Sequence, residues 1–145
     1  MGSYRAPMGA AGLDRVEKTL GIKKKRAAVS IATDAATTDI SNFIPAGASV
    51  LALKVEVTTT IAGGSLTLIG VDGDADMFGQ AASGWSLVND GDILVTGGST
   101  AGTRGNWFAA ADTLRLTAVS TGGPMTYPTA GAVNVTMLYV DGASL

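Results

Sequence analysis

Hydrophobic and polar side chains alternate along two stretches of this chain. In Leu51–Thr58 the odd-numbered positions are all apolar, whereas Lys54 and Glu56 fall between them. In Val29–Thr33 the larger apolar side chains again lie at every second position. A period of two is typical of a β-strand that buries one face, so the pattern predicts strands in both stretches.

Turn-forming residues separate these strands from further apolar stretches. Ile44–Gly47 supplies a proline and a glycine before the clearest strand, and Ala62–Gly64 suits a hairpin into Ser65–Val71. Later candidates for strands are residues 92–96, 106–109, 113–120 and 132–140. Strands at this spacing predict an all-β fold, an antiparallel β-sandwich or jelly-roll-like domain over residues 27–145.

Composition agrees with one folded β-domain. The chain has 145 residues, of which 46% are apolar and 15% charged, a balance that favours a packed core over disorder. It contains no cysteine, which excludes a disulfide framework and a thiolate metal site. No apolar run approaches the roughly 18 residues that cross a bilayer, so we expect no membrane partner.

Charge divides the chain at residue 26. Residues 1–26 carry seven basic and two acidic side chains, a net charge of +5, whereas residues 27–145 carry three basic and ten acidic ones, a net charge of −7. A basic N-terminal arm on an acidic body favours a negatively charged partner. Because no aromatic side chains are interleaved with the basic run, we expect a protein partner and no nucleic acid. A solvated leader without a specific role is the alternative.

The arm contains one organised segment, in which Leu13, Val16 and Leu20 follow helical spacing and Gly21 with Ile22 suits a helix stop. The spacing predicts a short helix of about two turns, which is stable only when docked. The apolar and basic side chains of the arm are the predicted binding residues: Leu13, Val16, Leu20, Ile22, Lys23, Lys24, Lys25 and Arg26.

An acidic stretch, Val71–Gly79, places Asp72, Asp74 and Asp76 at alternate positions. A calcium loop of the EF-hand type needs glycine at its sixth position and glutamate at its twelfth, but this chain has Met77 and Ser83 there. We therefore predict a polar turn with Asp-Gly at residues 72–73 and no metal, with a looser calcium site as the alternative.

Catalytic residue types are scarce. Without histidine or cysteine the chain has no usual general base, no Ser-His-Asp relay and no thiol nucleophile. Residues 97–101, GGSTA, resemble a G-x-S-x-G motif but end in alanine, and no phosphate-binding loop occurs. We expect no catalytic residues, no cofactor and no enzymatic activity.

Between residues 79 and 105 the alternation weakens into a glycine-rich stretch, with Trp85 inside it and Trp107 just beyond. So long a stretch is either a functional surface loop or contains short strands. We expect each tryptophan to be an anchor, either in the core or at a subunit interface, where this residue is enriched.

Two segments of the chain resemble a known family: residues 44–79, IPAGASVLALKVEVTTTIAGGSLTLIGVDGDADMFG, and residues 111–140, ADTLRLTAVSTGGPMTYPTAGAVNVTMLYV. Their shared features are a Pro-Ala-Gly turn before an alternating strand, a hairpin that leads to an acidic corner, and a threonine-rich strand before a TAGAV turn. The chain is similar in these features to β-rich structural modules of tailed-bacteriophage virions.

That resemblance implies a capsid decoration (cement) protein, a fibre module or a spike module, and these are commonly trimeric. A basic arm that orders on binding favours the first, so we expect a homotrimer that binds the major capsid protein on the outer capsid surface of the virion. The alternatives are a phage head or tail fibre module and, less favoured, a carbohydrate-binding β-sandwich.

Overall fold

The computed structural model describes residues 22–80, 86–96, 107–119 and 127–141. Eight β-strands occur in these ranges: β1 (Ile22–Ser30), β2 (Thr37–Ile44), β3 (Ala48–Ala62), β4 (Ser65–Val71), β5 (Asp74–Gln80), β6 (Ile93–Thr96), β7 (Asp112–Val119) and β8 (Ala130–Asp141). None of these ranges contains a helix that is long and apolar enough to cross a membrane.

The strands form two antiparallel four-stranded sheets. The first sheet has the order β1-β8-β3-β6, and the second has the order β2-β7-β4-β5. Consecutive strands lie in different sheets at every connection except β4 to β5. This crossing pattern is that of an eight-stranded jelly roll, so the predicted antiparallel sandwich is confirmed.

The inner faces of the two sheets supply the core. On β3 the predicted alternation holds from Leu53 to Val57, because Leu53, Val55 and Val57 are each only 1% exposed. Leu51 departs from it, since the register shifts between Val50 and Ala52 and leaves Leu51 exposed. Leu114 and Leu116 on β7 are fully buried on the opposing sheet. Burial of each such side chain contributes about 1.5–3 kcal/mol, which makes the inter-sheet contact the main source of stability.

Strand β1 corrects the predicted start of the sheet. It begins at Ile22, so the basic run Lys23–Arg26 is part of a strand that pairs with β8 and does not precede the sheet. Ladder hydrogen bonds use backbone groups and therefore tolerate charged side chains. Lysines on an edge strand also discourage unwanted pairing with other chains.

The acidic stretch was predicted to be a turn, but most of it belongs to strand β5. The turn is confirmed at Asp72 and Gly73, where Gly73 adopts a φ of 95°. Asp74, however, already belongs to β5, which pairs with β4. The carboxylates beyond the turn therefore project from a strand.

The glycine-rich stretch contains a short strand, β6, at the position of the predicted strand 92–96, and it pairs with β3. The turn before it is held by Asp92, whose Oδ2 accepts hydrogen bonds from the backbone N–H groups of Val88 (3.0 Å) and Asn89 (2.8 Å). These bonds hold the pKa of Asp92 below its ordinary value. A strand was predicted at residues 106–109, but the described residues there form only an isolated β-bridge, between Trp107 and Ser49.

Candidate functional site

The outer face of the first sheet carries rows of side chains that the strand register sets side by side. Arg26 on β1 lies opposite Thr136 on β8, and Thr136 lies opposite Lys54 on β3. Two strand spacings separate Arg26 from Lys54, about 10 Å. Side chains from strands distant in sequence therefore share one surface.

Three cations lie on this face, and we call them the basic strip: Lys24, Arg26 and Lys54. Glu56 lies on the same face, and its Oε2 is 3.6 Å from the Lys54 Nζ. The strip keeps an excess of positive charge beside this single carboxylate. Such a surface attracts acidic partners, and salt screens the attraction.

The other two lysines of the predicted basic run lie on the opposite side of β1. Lys23 donates a hydrogen bond to Asp141 at 3.0 Å, and that bond raises the pKa of Lys23. Lys25 donates to the Asn42 carbonyl at 3.2 Å and lies 5.2 Å from the centre of the Phe43 ring. Because a strand alternates its side chains, the four consecutive charges do not act as one block.

The same outer face carries an apolar patch. Among the described residues, the large hydrophobic side chains that remain exposed are Leu51 (44%), Ile93 (52%), Val95 (65%), Trp107 (61%) and Leu138 (37%). These five residues are called the apolar patch below.

The register places the members of the patch on this face. Ile93 and Val95 lie opposite the outward-pointing Glu56 and Lys54. Trp107 lies opposite Ser49, which is between the buried Ala48 and Val50 and therefore points outward.

The remaining two members lie on the central strands. Leu138 alternates with the buried Met137, so its side chain points outward from β8. Leu51 lies at a break in the β3–β8 register between Val50 and Ala52. Leu138 and Val95 also line one shallow groove with Ala52, which joins the β8 and β6 parts of the patch.

The groove runs between the basic strip and the apolar patch. Its volume is about 310 Å³, and its lining includes all three cations of the strip. A surface of this kind is suited to an extended, acidic and apolar segment of another protein. Chemically, the groove can bind and orient a partner segment through its cations and its apolar lining.

The structure describes some of the predicted site residues but not all of them. Leu13, Val16, Leu20 and Trp85 lie outside the described residues. Trp107 is largely exposed, so it is not a core anchor of this chain.

Sequence reasoning did not assign Lys54, Leu51, Ile93, Val95 or Leu138 to a site. The alternation in β3 already indicated that Lys54 points away from the core, but the pairing of β3 with β8 and β6 was not visible in the sequence. Without that pairing, neither the strip nor the patch could be assembled.

The three carboxylates of the acidic stretch do not form a single cluster. Asp72 accepts a hydrogen bond from Nη1 of Arg115 at 2.9 Å. Asp74 and Asp76 lie together on β5, where a shared hydrogen bond raises the pKa of Asp74. In the part of the chain that the structure describes, no group of three or more His, Cys, Asp or Glu side chains is arranged to hold a metal ion.

Comparison with known proteins adds one structural neighbour. No protein-family model and no curated protein matches the chain. A chain of the solved structure "Cyanophage Pam1 capsid asymmetric unit" matches with a TM-score of 0.51 and 18% identity, over 81% of this chain and 83% of that chain. At this identity the likeness shows a shared fold. The neighbour comes from a phage capsid, the kind of particle that the sequence resemblance implied.

Proposed function

We propose that this protein is a structural component of a bacteriophage virion that binds the outside of the capsid, as a decoration protein. One observation carries the proposal: the fold is shared with a chain of a phage capsid structure over 81% of this chain and 83% of that one. The match covers most of both chains, which supports a counterpart of the neighbour's main fold. The proposed partner is the major capsid protein.

The outer face of the first sheet supports attachment to a protein surface. The basic strip supplies a salt-sensitive attraction, and the groove beside it offers apolar area to a partner segment. Individual exposed ion pairs contribute only about 0–1 kcal/mol. Attachment through this face therefore depends on several contacts made at once.

The N-terminal residues supply a second contact in the proposal. Strand β1 begins at Ile22, so residues 1–21 join the sandwich at the edge that carries Lys24 and Arg26. Leu13, Val16 and Leu20 of this arm would bind an apolar site on a neighbouring capsid subunit. In a homotrimer, three arms would act together and raise the overall affinity without any new contact.

Binding to capsids that lack this protein tests the proposal. We expect the full chain to bind such capsids from its source phage, and deletion of residues 1–21 to weaken binding while the sandwich stays folded. The deletion must stop at residue 21, because removing residues 22–26 would take away half of β1. Cosedimentation measures the bound fraction, and circular dichroism checks the fold.

A matched pair of variants separates the strip from general charge. Lys24→Gln with Arg26→Gln neutralises two outward cations, whereas Lys23→Gln with Lys25→Gln removes the same charge from the other side of the same strand. The first pair should lower capsid binding several-fold more than the second, and added salt should reduce this difference. Full-strength binding by every variant and by the deletion would refute attachment through this face and arm.

A further inference from the structure

The apolar patch differs from ordinary scattered surface residues because it is confined to one face. All five of its members lie on the outer side of the first sheet, and the described outer side of the second sheet has no exposed large hydrophobic residue. Single exposed hydrophobic residues need no explanation, but a one-sided group of this size marks an interaction surface.

The area of the patch fits one side of a protein–protein interface. The exposed fractions of its five side chains amount to roughly 400–500 Å² of apolar surface. A standard interface covers about 800 Å² on each partner, and about 57% of that area is apolar. The patch therefore supplies about the apolar area that one subunit contributes to a stable contact.

The edge strand β6 indicates what kind of partner covers the patch. The other three edge strands of the described sheets carry charges: the basic run on β1, Asp39 on β2, and Asp74 with Asp76 on β5. The sequence of β6, ILVT, has none. Charged side chains protect an exposed edge from pairing, and among the described edge strands β6 is the one that carries none.

The backbone of β6 also has N–H and C=O groups that no described strand pairs with. The Val57 N–H donates to the Asp92 carbonyl at 2.9 Å, so by alternation the backbone groups of Leu94 and Thr96 also face β3. The N–H and C=O groups of Ile93 and Val95 therefore point away from β3, toward the free edge of the sheet. No other described strand pairs with that side of β6.

Charge and position favour a second copy of this chain as the occupant. The patch needs an apolar and uncharged partner surface, whereas the basic strip on the β1 side suits an acidic one. The arm enters the sheet at Ile22 on β1, three strand spacings or about 14 Å from β6, with the basic strip between them. A second copy presents the same patch, and closed symmetry covers it on every subunit.

We infer that the apolar patch packs against the same patch of neighbouring copies about the symmetry axis of a closed trimer, with β6 at the subunit contact. The inference deepens the proposed function, because it assigns the subunit contact of the proposed trimer. The two surfaces then have different roles: the apolar patch forms the contact between subunits, and the basic strip remains exposed to bind the capsid.

Sedimentation velocity and light scattering of the purified full chain at micromolar concentration test this inference without any capsid. The wild-type protein should be an oligomer, and Val95→Asp should lose it and sediment as a monomer. Val95 is 65% exposed, so this variant should keep the wild-type circular dichroism spectrum. Ala28→Asp is the matched control, because it adds the same charge at an exposed position on the same face but on β1. It should remain an oligomer.

A monomeric wild-type protein would overturn the inference, as would a folded Val95→Asp variant that stays oligomeric. If Val95→Asp does not fold, Ile93→Asp, at a position that is 52% exposed, replaces it. The two proposals fail separately. A wild-type monomer that still binds capsids refutes only the oligomer contact, and an oligomer that does not bind capsids refutes only the capsid role.

Discussion

Arg115 on β7 lies directly opposite Asp39 on β2, and the two side chains form a bidentate ion pair. Nε of Arg115 donates to Oδ1 of Asp39 at 2.8 Å, and Nη2 donates to Oδ2 at 2.9 Å. The remaining Nη1 donates to Asp72 in the β4–β5 turn. One guanidinium thus joins three parts of the second sheet on its outer side.

Replacement of Arg115 by methionine should lower the free energy of unfolding by more than the loss of an ordinary surface ion pair does, because Arg115 forms a bidentate pair, although both carboxylates remain partly solvated. Urea denaturation measures the change. Lys54→Met is the control, since its single contact to Glu56 at 3.6 Å should contribute little. Equal losses for the two variants would contradict this ranking.

Stability should fall in acid. Arg115 holds the pKa of Asp39 below its ordinary value of 3.8, and two backbone N–H groups do the same for Asp92. For a carboxyl group with a lowered folded-state pKa, the stabilisation is complete above the unfolded-state value and is lost as the pH falls through the folded-state value. The unfolding free energy should therefore decrease below about pH 4.

Asp74 acts in the opposite direction, because its hydrogen bond with Asp76 raises its pKa and the folded state holds that proton more tightly. This offsets part of the loss in acid.

Asp92→Asn should be less stable than the wild type at neutral pH and should lose less stability on acidification. Denaturation curves that shift equally with pH for both proteins would rule out a role for the Asp92 carboxylate.

Gly70→Ala should destabilise the second sheet strongly. A Cβ at Gly70 would lie against backbone atoms of Asp74 and Ala75 across the β4–β5 hairpin, and those atoms cannot move aside as a flexible side chain does. We expect a loss of roughly 3 kcal/mol. Gly91→Ala is the matched control, because the site has a φ of 94° but open space around it, so only backbone strain of about 1 kcal/mol applies. A smaller loss for Gly70→Ala than for Gly91→Ala would contradict the packing argument.

Calcium should change thermal stability little. Asp72 is already hydrogen-bonded to Arg115, and only Asp74 and Asp76 remain close together on β5. Melting temperatures measured with saturating calcium and with a chelator should agree. A rise of many degrees with calcium would indicate a site that binds the folded state.

Most strands could be predicted from the sequence where one face is buried. The alternation on β3 and the apolar stretches of β7 and β8 gave strands that the structure places within a few residues. Strand β2 was not predicted, because its pairing shifts register between Ile40 and Ile44, and Asn42 adopts a φ of 54°. Such an irregularity disturbs the period of two on which the prediction depends.

Charge misled the prediction in two other strands. The lysines of β1 were attributed to the arm, and the aspartates of β5 to a turn, although edge strands accept charged side chains on their solvent side. The candidate site was harder to predict than the strands. The basic strip and the apolar patch combine residues from β1, β3, β6 and β8, and the order of those strands is a tertiary property that local periodicity does not contain.

Cryo-electron microscopy of capsids from the source phage, prepared with and without this protein, tests the capsid role most directly. We predict that capsids with the protein show added density on their outer surface that fits the two-sheet sandwich, with the β1 side of the first sheet toward the capsid. Capsids without the protein should lack this density. Identical outer surfaces in both preparations, or density for the sandwich at the tail or in fibres, would contradict a capsid decoration protein.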